Sequence, residues 1–164
     1  MAVPLTGALW NWAVDGLVVP ARIHAVLTEI TGRPVVPLGT DPVGFPPDVV
    51  LCDVWSVGGD FPTSVDCYLV PAELPETTAA AAFARWLGRR CLLPDDTLDP
   101  GRFLLAAPDG TLRPVHLDVH ETDGGTALSN LRPCAGLRHR AWDRTPCRQS
   151  RWAPGTVVTA LAAA

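Results

Sequence analysis

The sequence contains no lysine, and all thirteen of its cationic side chains are arginine. With alanine, proline and glycine abundant, this absence reads as a high-GC codon bias, not as a functional signature. Proline and glycine also interrupt the apolar residues so often that no apolar run approaches the roughly 20 residues needed to cross a bilayer. A soluble protein with no membrane partner is the expectation. No basic residue precedes Arg22, so the positive n-region of a secretory signal is missing and the cytoplasm is the default address. The five cysteines (Cys52, Cys67, Cys91, Cys134, Cys147) include no C-x-x-C pair, which argues against a zinc ribbon, and their odd number argues against a disulfide framework. Cys52, Cys67 and Cys91 lie in apolar, strand-like runs and are expected as buried thiols, while Cys134 and Cys147 would pair only in an oxidising compartment.

Motifs for common chemistries are equally absent. There is no G-x-S-x-G elbow, no G-x-x-x-x-G-K-[ST] and no G-x-G-x-x-G, so neither a hydrolase triad nor a nucleotide-phosphate cradle has support, and no cofactor is expected.

The length of 164 residues fits a single domain, since domains commonly run roughly 100 to 200 residues. Charge is uneven along it. Residues 1–131 hold seven Arg against sixteen acidic residues, a balance of −9, whereas 132–164 hold six Arg against Asp143, a balance of +5.

Two helices are predicted. Ile23, Val26, Leu27 and Ile30 fall at i, i+3, i+4 and i+7, one stripe of a helix over 20–31 with Pro20 in its first turn and Gly32 at its end. A second helix over 75–87 begins at Pro75-Glu76 and ends at Gly88, with Phe83, Trp86 and Leu87 as its larger apolar residues. Segments 48–55 and 64–70 are rich in β-branched and aromatic residues and read as adjacent antiparallel strands around the turn at 58–62. In the second, Val65, Cys67 and Leu69 should face the core while Ser64, Asp66 and Tyr68 face out. Arg102–Ala107 and Thr111–Val119 flank Asp109-Gly110, a dipeptide suited to the positive φ angles of a hairpin turn. Residues 34–40 are a short extended piece, Cys91–Leu93 another, and Gly155–Leu161 a final strand. Residues 132–152 read as an irregular, Arg-rich segment. The sum is an α+β domain over 1–164: an antiparallel sheet of about five to seven strands packed by two main helices.

Three groups of residues carry chemical interest. His116, Asp118 and His120 alternate along one strand, so period-2 geometry places them on one face as a divalent-metal set. The plainer reading is a wetted face opposite Val115, Leu117 and Val119. Asp95, Asp96 and Asp99 lack the glycine and distal glutamate of an EF-hand, so they read first as turn residues and second as partner contacts. Arg138, Arg140 and Trp142, in the basic segment, can grip phosphates and stack on bases, yet the acidity of the whole chain favours a protein partner over nucleic acid.

The segment from Phe83 to Asp118 carries a Leu87-Gly88 helix end, a short strand, the Asp95-Asp96 turn and a Pro108-Asp109-Gly110 hairpin, and in this it resembles small bacterial immunity-type proteins. The resemblance covers about a fifth of the chain and implies stoichiometric neutralisation of a toxin without catalysis. The acidic balance of 1–131 suits a basic partner. A non-catalytic protein-binding module is therefore the leading expectation, with Asp66, Tyr68, Asp95, Asp96, Asp99, Arg138, Arg140 and Trp142 as contacts. An accessory subunit anchored by exposed Trp10 or Trp12, or by the Arg-rich segment, and a metal-dependent enzyme using His116, Asp118 and His120 are the alternatives.

Overall fold

A computed structural model describes residues 7–41, 43–96, 99–134, 152 and 158–159. Its strands are β1 (Ala8–Val14), β2 (Val35–Pro37), β3 (Val50–Ser56), β4 (Thr63–Val70), β5 (Cys91–Pro94), β6 (Arg102–Ala106), β7 (Thr111–Thr122), β8 (Gly125–Pro133) and β9 (Val158–Thr159). The helices are α1 (Pro20–Thr31) and α2 (Glu76–Leu87). The α+β class is as expected, but the sheet is larger than five to seven strands and is mixed, with the order β2-β3-β4-β1-β5-β6-β7-β8 and β9 beside β7. The parallel element is β2 against β3: after α1 the chain re-enters at the sheet edge, and Val35–Pro37 runs alongside Val50–Cys52.

The strand that the sequence reading passed over, β1, lies at the centre. In Ala8–Val14, Trp10, Trp12 and Val14 alternate with Leu9, Asn11 and Ala13, and the first three are 2 %, 1 % and 0 % exposed. Trp10 and Trp12 are thus core residues stacked at 4.9 Å between ring centroids, not exposed anchors for a partner. They meet the buried stripes of both helices: Ile23, Val26 and Leu27 from α1, and Ala79, Ala80, Phe83, Ala84 and Leu87 from α2. Trp86 instead lies on the outer surface of α2 at 57 % exposed. Both helices end on a left-handed glycine, Gly32 and Gly88, whose N–H groups bond the carbonyls of Thr28 and Ala84. Arg22 of α1 donates to the Leu87 carbonyl at 2.9 Å, fastening the start of one helix to the end of the other.

In β4 the alternation holds through Cys67 and then breaks. Leu69 takes φ 61°, the β1–β4 register slips between Ala8 and Trp10, and Val70 becomes the buried residue in place of Leu69. Gly7 accommodates this bulge, since a Cβ there would lie 2.4 Å from the Leu69 Cα.

The hairpin at Asp109-Gly110 forms with a different turn from the one expected. Gly110 has φ 84°, whereas Asp109 is not in the left-handed region. The Gly110 N–H bonds the Ala107 carbonyl and the Ala107 N–H bonds the Thr111 carbonyl, so Pro108, Asp109 and Gly110 form a three-residue loop. The Asp109 carboxylate accepts from the Thr111 N–H and hydroxyl at 2.9 and 2.7 Å, which fixes the loop on the strand that follows.

Beyond residue 121, where the sequence signals fade, the chain makes β8, and with β7 it forms a long ribbon. The ribbon curls until Leu128 meets Gly59 in the β3–β4 turn. The Asp60 N–H donates to the Leu128 carbonyl at 2.7 Å, and the Asn130 N–H donates to the Asp60 carboxylate at 3.1 Å. This curl encloses a second core, Phe61, Leu92, Leu105, Val115, Leu117 and Leu128, on the sheet face away from the helices. No helix among the described residues is long and apolar enough to cross a membrane.

Candidate functional site

The face of β3, β4 and β1 opposite the helices collects the polar half of three period-2 patterns. Leu51, Asp53 and Trp55 come from β3, Ser64, Asp66 and Tyr68 from β4, and Leu9, Asn11 and Ala13 from β1. Register then decides who meets whom. Asp53 stands directly opposite Asp66, Leu51 opposite Tyr68, and Asn11 opposite Asp66 from the other side. Asn11 donates its side-chain amide to the Asp66 carboxylate. Asp53 is exposed, while Asp66 and Tyr68 are half-buried.

The electrostatics of this face are unfavourable to the protein alone. Like charges directly opposite one another in antiparallel strands destabilise the pair. Partial burial pushes the Asp66 carboxyl above its ordinary value, the Asn11 hydrogen bond opposes that rise, and the Asp53 carboxylate adds to it. Partial burial together with Asp66 and Asp53 raises the Tyr68 phenol as well. The face thus holds acceptors in excess of donors, flanked by the apolar Leu9, 59 % exposed, and the half-buried Trp55.

Asp66 and Tyr68 were expected as contacts from the alternation of β4. Asp53 and Asn11 were not, although the same rule applied to ALWNWAV and VLCDVWS places them there. The signal was present in the alternation, while the adjacency depended on β1 pairing with β4 across more than fifty residues of chain.

The Asp95–Asp99 loop lies elsewhere, between β5 and β6. Asp95 is paired with Arg102 at 2.7 Å, with side chains only 6 % and 11 % exposed, so it serves the fold and is poorly placed to reach a partner. Asp99 bonds the Gly101 N–H at 2.9 Å through one oxygen and approaches His116 Nδ1 at 3.6 Å through the other. Asp96 is exposed, with φ 59°. Pro94, Asp95, Asp96, Asp99, Pro100, Arg102 and Phe103 line an open cavity of about 340 Å³.

Along β7 the steps from His116 to Asp118 to His120 are regular, and the irregularity lies on its partner β8, where Asn130 takes φ 58°. A bulge falls between His116 and Asp118 in the β7–β8 register, because Arg132 pairs with His116 and Ser129 with Asp118. His116, flanked by Arg102 of β6 and Arg132 of β8, is buried at 5 % beside Asp99, whereas Asp118 is held by Asn130 at 3.0 Å and Arg132 at 3.0 Å, and His120 is exposed. Those two partners hold the Asp118 carboxyl below its ordinary range. Among the described residues no group of three or more His, Cys, Asp or Glu is arranged to hold a metal ion. Arg138, Arg140 and Trp142 lie outside the described residues.

Beneath the acidic face, the same ladder opposes Cys52 to Cys67, with their sulfurs 3.9 Å apart and the side chains 1 % and 0 % exposed. Comparison with family models, with curated proteins and with solved structures found no match to this chain.

Proposed function

We propose that this chain is a non-catalytic protein-binding module of the immunity type, which neutralises a partner by receiving a cationic surface on the β3–β4–β1 face. The observation that carries this reading is the opposition of Asp53 and Asp66. An arrangement that costs stability in the free protein becomes favourable when an arginine or lysine is seated between the two carboxylates. Leu9 and Trp55 give the apolar contact that charge alone lacks, and the acidic balance of residues 1–131 speeds the approach of a basic partner.

The test is calorimetric titration of the full chain with an arginine-rich peptide, beside the variant in which Asp53 and Asp66 are both Asn. Loss of two charge-assisted contacts should weaken binding by about tenfold or more. Equal affinity for the two proteins would remove this face from consideration.

A further inference from the structure

We propose that Cys52 and Cys67 form a peroxide-responsive dithiol on the underside of the acidic face, and that its closure to a disulfide resets the spacing of Asp53 and Asp66. The second half rests on the reading of that face as the partner site; the first half does not.

The geometry supports closure with the β3–β4 pairing kept and only a local adjustment of strand spacing and twist at the bridged rung. Cys52 and Cys67 are direct partners in the β3–β4 ladder. Opposed residues of antiparallel strands have Cα atoms about 4.5 or 5.5 Å apart, and disulfides span Cα separations of about 4.4 to 6.8 Å. The sulfurs, now 3.9 Å apart, have only to approach to about 2.0 Å, within reach of side-chain rotation. Cys91, a third thiol in the same core, instead directs its S–H to the Leu92 carbonyl and is partnered with Ala106 across the β5–β6 ladder.

The hydrogen bond gives the two sulfurs different roles. Cys67 donates its S–H to the Cys52 sulfur. Its hydrogen bond to Cys52, and then burial, keep the Cys67 thiol strongly protonated. Cys52 is the acceptor, and it lies on β3 beside the three-residue edge strand β2, the thinner side of the sheet. A hydroperoxide small enough to enter is attacked by the Cys52 sulfur; the O–O bond breaks, a Cys52 sulfenic acid forms, and the second peroxide oxygen leaves as water. The Cys67 sulfur then attacks the sulfenic sulfur, the S–O bond breaks, and the Cys67 proton departs with the hydroxyl as a second water. Two thiols and one peroxide thus give one disulfide and two waters, with the peroxide taking both electrons.

The consequence reaches the other face because the residues are contiguous. Asp53 follows Cys52, Asp66 precedes Cys67, and the two pairs are adjacent rungs of one ladder. A covalent link at one rung fixes strand separation and twist at the next.

The experiment treats the intact folded chain with hydrogen peroxide, blocks remaining thiols with iodoacetamide and maps the peptides by mass spectrometry. A Cys52–Cys67 cross-link, lighter by two hydrogen atoms, is expected; oxygen addition without cross-linking, or a link through another cysteine, overturns the dithiol. Calorimetry with the arginine-rich peptide then compares reduced and oxidised protein. A change in Kd of about threefold or more is expected, with none in peroxide-treated Cys52→Ala. Equal Kd values in the two redox states overturn the coupling. A peptide that binds neither state overturns the partner reading and the coupling together, while the cross-link map still decides the dithiol on wild-type protein.

Discussion

Trp12, at the centre of the sheet, donates its indole N–H to Glu76 in the first turn of α2 at 2.9 Å. The bond satisfies the polar atom of an otherwise fully buried ring and gives a partly buried carboxylate its partner. Burial pushes the Glu76 carboxyl above its ordinary value of 4.5, and the indole bond restrains that rise.

Trp12→Phe removes the donor and leaves the carboxylate behind. Stability at neutral pH should fall by about 1–3 kcal/mol in urea unfolding. Because the folded-state value of Glu76 lies above the unfolded one, the folded chain binds the proton more tightly. Its contribution therefore grows as pH falls from the raised folded value to below 4.5, and is lost as pH rises back through that window. The deficit of Trp12→Phe should accordingly narrow on acidification; a deficit that widens there would contradict this role for Glu76.

Asp53→Asn should separate stability from binding. Removing one of two opposed carboxylates stabilises the sheet by about 0.2–1 kcal/mol. The same change lowers the Asp66 carboxyl towards its ordinary value, read by NMR titration, and weakens the arginine-rich peptide. A variant that is less stable and binds equally well would argue against the acidic face on both counts.

Arg102→Ala strands Asp95 in a nearly dry setting, where the side chains are 11 % and 6 % exposed. Loss of about 3 kcal/mol is expected from thermal or urea unfolding. Peptide affinity should stay unchanged, because this pair joins the β5–β6 loop to the start of β6 and is not on the β3–β4–β1 face.

Gly59→Ala introduces a Cβ 2.4 Å from the Leu128 carbonyl oxygen at a residue with φ 85°. The ribbon must lift from the β3–β4 turn, costing about 2–3 kcal/mol. Hydrogen exchange should quicken first at the amides of Asp60 and Asn130, which depend on that contact.

Local patterns were legible in the sequence wherever one element supplied its own signal. The stripe of α1, the Gly32 and Gly88 ends, and the alternation of β4 as far as Cys67 all stand as read. What escaped was decided by distant partners. The bulge at Leu69 is accommodated by Gly7, His116 is buried between β6, β8 and the Asp99 loop, and the place of Trp10 and Trp12 is set by two helices that no local window contains. The candidate site was half legible for the same reason: Asp66 showed in its own strand, but its opposition to Asp53 is a property of the pairing.

The junction of the β7–β8 ribbon with the β3–β4 turn has a consequence in time as well as in space. Asp60 and Asn130 stand 70 positions apart, so their contact closes a long stretch of chain and comes after the local hairpins have formed. A contact made late and held by few bonds is also one that opens early. Unfolding should begin where the ribbon leaves the turn, exposing Phe61 and Leu128 while Trp10, Trp12 and the helices above them still hold together.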